Sequence, residues 1–237
     1  MSADPPLLRG APAWPAAVVL AFTAGGVDAI GLSAVARFTA HMSGTTSGLA
    51  DALFVADLRL IGLCAVALVS FVAGAAATGA VMAGGFGWAP LARARALLIG
   101  EAVLLALAVA PLQLGPHAAF HVAAVVAPFA AAMGAQNRIG VILAGGSART
   151  THVTGTLTDA GYHLGRMLSS PAGRSGEEAR SAGALFLLFI AFAAGGVSGR
   201  AAWRIVGPAS AALMATLPLA LALLTLRAQT GTAMLKP

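Results

Sequence analysis

Three charged residues, Asp28, Glu101 and Arg138, fall inside long apolar stretches of this sequence. A charge at bilayer depth costs at least about 2.5–3.5 kcal/mol on insertion scales, so such a residue has a partner or a purpose. Asp28 and Arg138 carry opposite signs and are expected to be neighbours near the bilayer centre. A static salt bridge and a solute site look alike at this level, and both readings stay open. Gln136 and Asn137 directly precede Arg138 and add amide donors and acceptors to the same place. Glu101 lies only a few residues into its apolar stretch and is expected to snorkel toward Arg93 or Arg95.

Hydroxyl residues form a second group. Ser43-Gly44-Thr45 and Thr154-Gly155-Thr156 each begin two positions after a histidine, His41 and His152, and each precedes a moderately apolar segment. Ser and Thr accept hydrogen bonds from the free amides of a helix's first turn, and glycine lets a partner approach the backbone. Each motif is therefore expected to open a short half-helix. Its free N–H groups and positive dipole end would suit an anion or a polar solute, with a ligand-free interfacial cap as the alternative. Ser43 with a histidine base would also be the raw material of an intramembrane hydrolase. No GxSG-type elbow accompanies it, and a threonine stands at the matching position, so no catalytic residue is assigned. His117 and His121 share a helix face at i, i+4 without a third ligand nearby, and no metal or cofactor is expected. Cys64 is a lone cysteine in an apolar run and reads as a small core residue.

The elements that must hold these residues are apolar. The 237 residues are 59% hydrophobic and only 9% charged, with a mean hydropathy of +0.88. A soluble domain carries about a quarter charged residues, and a surface this poor in charge belongs in lipid. The net charge of +6 does not mark a nucleic-acid binder, because the basic residues fall singly at the ends of apolar runs. Nearly all of them are arginine, a bias of GC-rich bacterial genomes.

Six apolar stretches approach the length a bilayer requires, near 14–36, 58–83, 96–114, 118–144, 181–200 and 205–226. Trp14, Trp88 and Trp203 stand at their ends, as interfacial tryptophans do. Pro111 and Pro116 mark a turn between the third and fourth, and Ser169–Arg180 reads as an exposed loop. Arg9 precedes the first stretch, which runs on without a clean small-residue cleavage site and reads as an uncleaved helix. With six spans, Arg9, Arg93, Arg95, Arg149, Arg166, Arg174, Arg180, Arg227 and Lys236 collect on one side. Arg37, Arg59, Arg200 and Arg204 lie on the other, so the positive-inside rule predicts both termini in the cytoplasm.

The two halves of the sequence resemble each other. Gly26–Gly31 matches Ala135–Gly140, His41–Thr45 matches His152–Thr156, and Phe71–Gly74 matches Phe192–Gly195, in the same order. Residues 14–114 and 118–226 thus read as two repeats within a single transmembrane domain, 1–237. Three spans per half is an odd number, which makes this a 3+3 inverted repeat of an all-α polytopic protein, with half-helices after spans one and four. Gly195 and Gly199 form a GxxxG pattern that predicts close helix packing.

At these same residues the chain resembles the YoaK-like family of bacterial six-span membrane proteins, which carries a domain-of-unknown-function label. The resemblance rests on Gly26-Val27-Asp28-Ala29, Phe38 through Gly44, Met133–Asn137 and Thr151–Thr156, and extends from Ala21 to Leu226. It implies an inner-membrane protein of six spans and brings no substrate with it. Where the family usually has Thr-Gly-Asn, this chain has Ser43-Gly44-Thr45, so the asparagine amide is missing from its first motif. The expected function is a small-solute transporter or channel of the bacterial inner membrane. Its expected partners are the lipid bilayer and a small polar or anionic solute bound by Asp28, Gln136, Asn137, Arg138, Ser43, Gly44, Thr45, Thr154, Gly155 and Thr156. A non-catalytic packing or assembly protein is the alternative.

Overall fold

The computed structural model describes residues 13–84, 87–114, 120–143, 149–169 and 176–233, and no strand occurs among them. In chain order the helices are α1 (Ala13–Val35), α2 (Met42–Phe54), α3 (Leu58–Met82), α4 (Pro90–Leu107), α5 (Val109–Leu114), α6 (His121–Leu143), α7 (Val153–Ser169), α8 (Gly176–Val206) and α9 (Ser210–Ala233). The helix ends follow local chemistry. Asp57 accepts a hydrogen bond from the Leu60 amide at 3.0 Å and caps α3. Pro90 opens α4, where its missing N–H leaves nothing unpaired. Gly207, at a φ of 58°, and Pro208 separate α8 from α9.

Among the described residues, four segments are long and apolar enough to cross a membrane: Trp14–Val35, Leu58–Met82, Pro90–Leu114 and Gly176–Leu224. The last contains both α8 and the larger part of α9. Helix α6 has a spanning helix's length of 23 residues, but Gln136-Asn137-Arg138 lowers its apolarity. Helices α2 and α7, of 13 and 17 residues, extend for about 20 and 26 Å at the usual rise, short of an average hydrocarbon core.

Several boundaries differ from those expected: α4 begins at Pro90 rather than near 96, α8 runs on to Val206, and α9 begins only at Ser210. Pro111 lies within α5 and forms no turn; the chain breaks its helix earlier, at Ala108. The Ser169–Arg180 loop is helical from Gly176 onward, because Glu177 and Glu178 favour the positive end of a helix dipole and start α8 early. Pro116, His117 and residues 170–175 lie outside the described residues.

The strongest packing joins the two halves of the chain. Helix α1 lies along α8, α3 along α6 and α4 along α9, while α2 and α7 lie on α3 and α8. The approach of α1 to α8 and of α3 to α6 is set by glycine. A Cβ on Gly25 would overlap the carbonyl oxygen of Phe192, and one on Gly195 that of Phe22. A Cβ on Gly74 would overlap the carbonyl of Ala131, and one on Gly134 that of Phe71. Gly199 meets Gly26 in the same way. Without side chains at these points the backbones come into direct contact, as small residues permit between membrane helices. A core of Val27, Ile30, Leu105, Phe129, Met133 and Met214 fills the space where α1, α4, α6 and α9 meet.

Candidate functional site

Asp28 stands in α1, 7% exposed. Its Oδ1 accepts hydrogen bonds from the backbone amides of Thr39 and Ala40, at 2.7 and 2.8 Å. Those amides belong to the irregular segment 36–41, which folds back against α1 before α2 begins. Gly31, one turn after Asp28 on the same face, makes room: a Cβ there would press on Thr39 and the Arg37 carbonyl. In α6, Gly140 makes the same room for Thr150. The wedge there is held differently. Gln136, fully buried, donates from Nε2 to the Leu20 carbonyl at 2.7 Å and to Thr150 Oγ1 at 3.0 Å. Asn137 Oδ1 and Gln136 Oε1 are buried without a hydrogen-bond partner.

The two folded-back segments deliver the starts of α2 and α7 to one cavity of about 500 Å³. Its lining consists of Asp28 and Asn137, Phe38 and Arg149, Ala40 and Thr151, His41 and His152, Met42 and Val153, Ser43 and Thr154, and Phe71 and Phe192. Each of these seven pairs joins residues that the sequence matches place in register, when the His41/His152 match is extended back to Phe38/Arg149. The volume lies in the range of small-molecule sites. Its lining combines apolar and aromatic side chains with a carboxylate, a guanidinium, two imidazoles, three hydroxyls and an amide.

Of the residues singled out in the sequence, Asp28, Ser43, Asn137 and Thr154 meet in this cavity. Gly44 and Thr45 line a neighbouring, more apolar pocket that also contains Cys64. Gly155 packs beside the His152 ring, as Gly44 does beside His41. Thr156 is buried. Gln136 holds the Thr150 segment in place and does not line the cavity.

Arg138 is exposed and does not line the cavity. The expected Asp28–Arg138 pairing is therefore replaced by the two amide bonds to Asp28. Successive residues on a helix point about 100° apart, so with Asn137 facing the cavity its neighbour turns away. The capping expectation also changes. His41 is the N-cap of α2 and makes no side-chain cap bond, while Ser43 is already inside the helix. The threonine hydroxyls bond backward instead, Thr45 to the His41 carbonyl at 3.1 Å and Thr156 to that of His152 at 3.0 Å. Phe38, Arg149, Phe71 and Phe192 also line the cavity; the repeat matches contain the last two, and extending the His41/His152 register reaches the first two. Among the described residues no group of His, Cys, Asp and Glu could hold a metal ion.

An all-helical chain with several helices of membrane-spanning length and apolarity fits a membrane protein. Residues 16–225 match the family described as "Protein of unknown function (DUF1275)", and the chain belongs to that family. The YoaK-like resemblance is consistent with it. No curated protein and no solved structure matches the chain.

Proposed function

We propose that this protein is a small-solute transporter or channel of the bacterial inner membrane, and that its solute occupies the cavity between the starts of α2 and α7. In this reading the chain crosses the bilayer six times, with α1, α3 and α4 forming one half and α6, α8 and α9 the other. The halves are inverted about an axis through the cavity, and both termini are cytoplasmic. The observation that carries the reading is the lining itself: seven pairs of register-matched residues around about 500 Å³. A site on such an axis can open alternately to either side when two near-equivalent halves exchange conformations. The charge asymmetry of the loops supports the orientation. The mixed lining favours a small polar solute with an anionic group, taken up beside Arg149 and the free amides that open α2 and α7.

The test uses Ser43→Cys and Thr154→Cys in a Cys64→Ala background, reconstituted in liposomes. A small membrane-impermeant thiol reagent should modify both positions, and uptake of the solute that protects them should be lost after modification. Failure of both cysteines to react, while a cysteine at Ser175 reacts, would remove the cavity from consideration.

A further inference from the structure

Glu101 lies in the middle of α4, a segment long and apolar enough to span the membrane, and it is 1% exposed. Neither of its carboxyl oxygens has a hydrogen-bond partner. The expected snorkelling toward Arg93 or Arg95 does not occur. Arg93 lies eight residues away, about 12 Å along the helix, and donates instead to the Met82 carbonyl at 3.0 Å. Arg95 lies six residues away, on a different face of the same helix.

Helix α4 packs on α6 and α9, and more lightly on α3 and α5. The charged side chains described on these helices are Arg138 of α6 and Arg59 of α3, both exposed. The other titratable groups there are Cys64 in α3 and His121 at the opposite end of α6, buried with its Nδ1 unpartnered. The described side chains of α9 and α5 carry no charge. Helix α6 also holds a spare acceptor, the Oε1 of Gln136. An ionised carboxylate without a protein cation or donor beside it is the least favourable state for such a place, whereas the neutral acid carries only a hydroxyl to satisfy.

We propose that Glu101 is a proton-binding site in the membrane interior, occupied in this conformation and emptied when α4 shifts against α6 and α9. The second half of the proposal rests on the transport reading above; the first does not. The ligand is a proton, bound and released at a carboxyl oxygen with no other bond changed. A proton bound in one conformation and released in another would couple the proton gradient to movement of the solute.

The test is made on the full chain in liposomes, by two readouts that need no solute. Infrared spectra should contain the C=O stretch of a protonated carboxyl that is lost in Glu101→Gln, a neutral substitution of the same shape. That band should fade reversibly as the pH is raised. Dicyclohexylcarbodiimide, an apolar reagent for protonated carboxyls, should give an adduct that peptide mass analysis places at Glu101, with a yield that falls over the same pH series. The adduct identifies the residue in the unsubstituted protein, even if Glu101→Gln does not fold. An absent band together with an absent adduct would overturn the site. A band that persists unchanged at every pH would overturn proton exchange, leaving a locked structural acid. Loss of the solute reading alone leaves both readouts intact.

Discussion

The helix crossings and the cavity they surround are built on opposite plans. At the crossings the two halves of the chain use the same residue in the same way: Gly25 and Gly134 in α1 and α6, Gly195 and Gly74 in α8 and α3, each against a backbone carbonyl. Around the cavity three of the seven matched pairs differ in charge or polarity, while the histidines and the Phe71/Phe192 pair repeat. Asp28 is matched by Asn137, Phe38 by Arg149, and Ala40 by Thr151. Backbone contact tolerates one solution, because any side chain separates the helices. A cavity lining tolerates many, because a side chain that faces open space meets no backbone it must fit. The crossings therefore hold the two halves in register while the lining is free to specialise.

The largest effect should come from the crossings. Gly74→Ala and Gly195→Ala each place a methyl on a backbone carbonyl that cannot rotate away, and overpacking of this kind costs about 1–3 kcal/mol or more. Thermal unfolding in detergent should show both variants strongly destabilised. Gly62→Ala and Gly100→Ala, where an added Cβ meets nothing within 4 Å, should be neutral or gain up to about 1 kcal/mol of helix propensity. Equal behaviour of the two sets would break the comparison.

Next come the wedges that shape the cavity, where the halves should part. Asp28→Ala takes the acceptor from the amides of Thr39 and Ala40, at a total cost of about 1–3 kcal/mol. Asp28→Asn keeps an acceptor oxygen and should lose less. Asn137→Ala removes an oxygen that has no partner and should cost less than Asp28→Ala, despite the matched position. An equal loss in the two alanine variants would mean that the second half holds its segment as the first does.

Gln136→Leu should have a smaller effect, of about 1 kcal/mol. It gives up two hydrogen bonds to neutral acceptors, and polar contacts between membrane helices average only about 0.6 kcal/mol. A double variant with Thr150→Val separates the Thr150 contact from that to the Leu20 carbonyl; simple additivity would show that the side-chain contact contributes nothing.

The smallest effect on stability belongs to the lining. Ser43→Ala and Thr154→Ala remove exposed hydroxyls and should stay within about 0.5 kcal/mol of the unsubstituted protein. A large loss at either position would make the hydroxyl part of the framework and remove it from the site.

Much of this was legible in the sequence, because burial in lipid and glycine contact both leave a linear signature. The apolar runs located α1, α3 and α6 to within a few residues and α8 and α9 more loosely, since a helix that must satisfy its own backbone in lipid is written as one continuous stretch. The Gly195/Gly199 spacing pointed to a packed face, and the hydroxyl motifs marked where α2 and α7 begin. The partners of the polar residues were not legible. Asp28 and Arg138 looked like a pair because each is expensive alone, but charge says nothing of direction around a helix. Glu101 looked close enough to the membrane surface to escape it, yet the neighbours that bury it come from α6 and α9, far away in sequence.

By itself, then, the sequence determined the helices, their apolar faces and the paired motifs, since these follow from periodicity and from the demand of every backbone amide for a partner. Only the tertiary structure decided that Asp28 bonds two amides, that Arg138 turns away from the cavity, and that fourteen matched residues enclose a single space. Those outcomes depend on the rotation of one helix against another. That rotation is set where Gly74 meets Ala131 and Gly195 meets Phe22, at contacts between residues tens to more than a hundred positions apart in the chain.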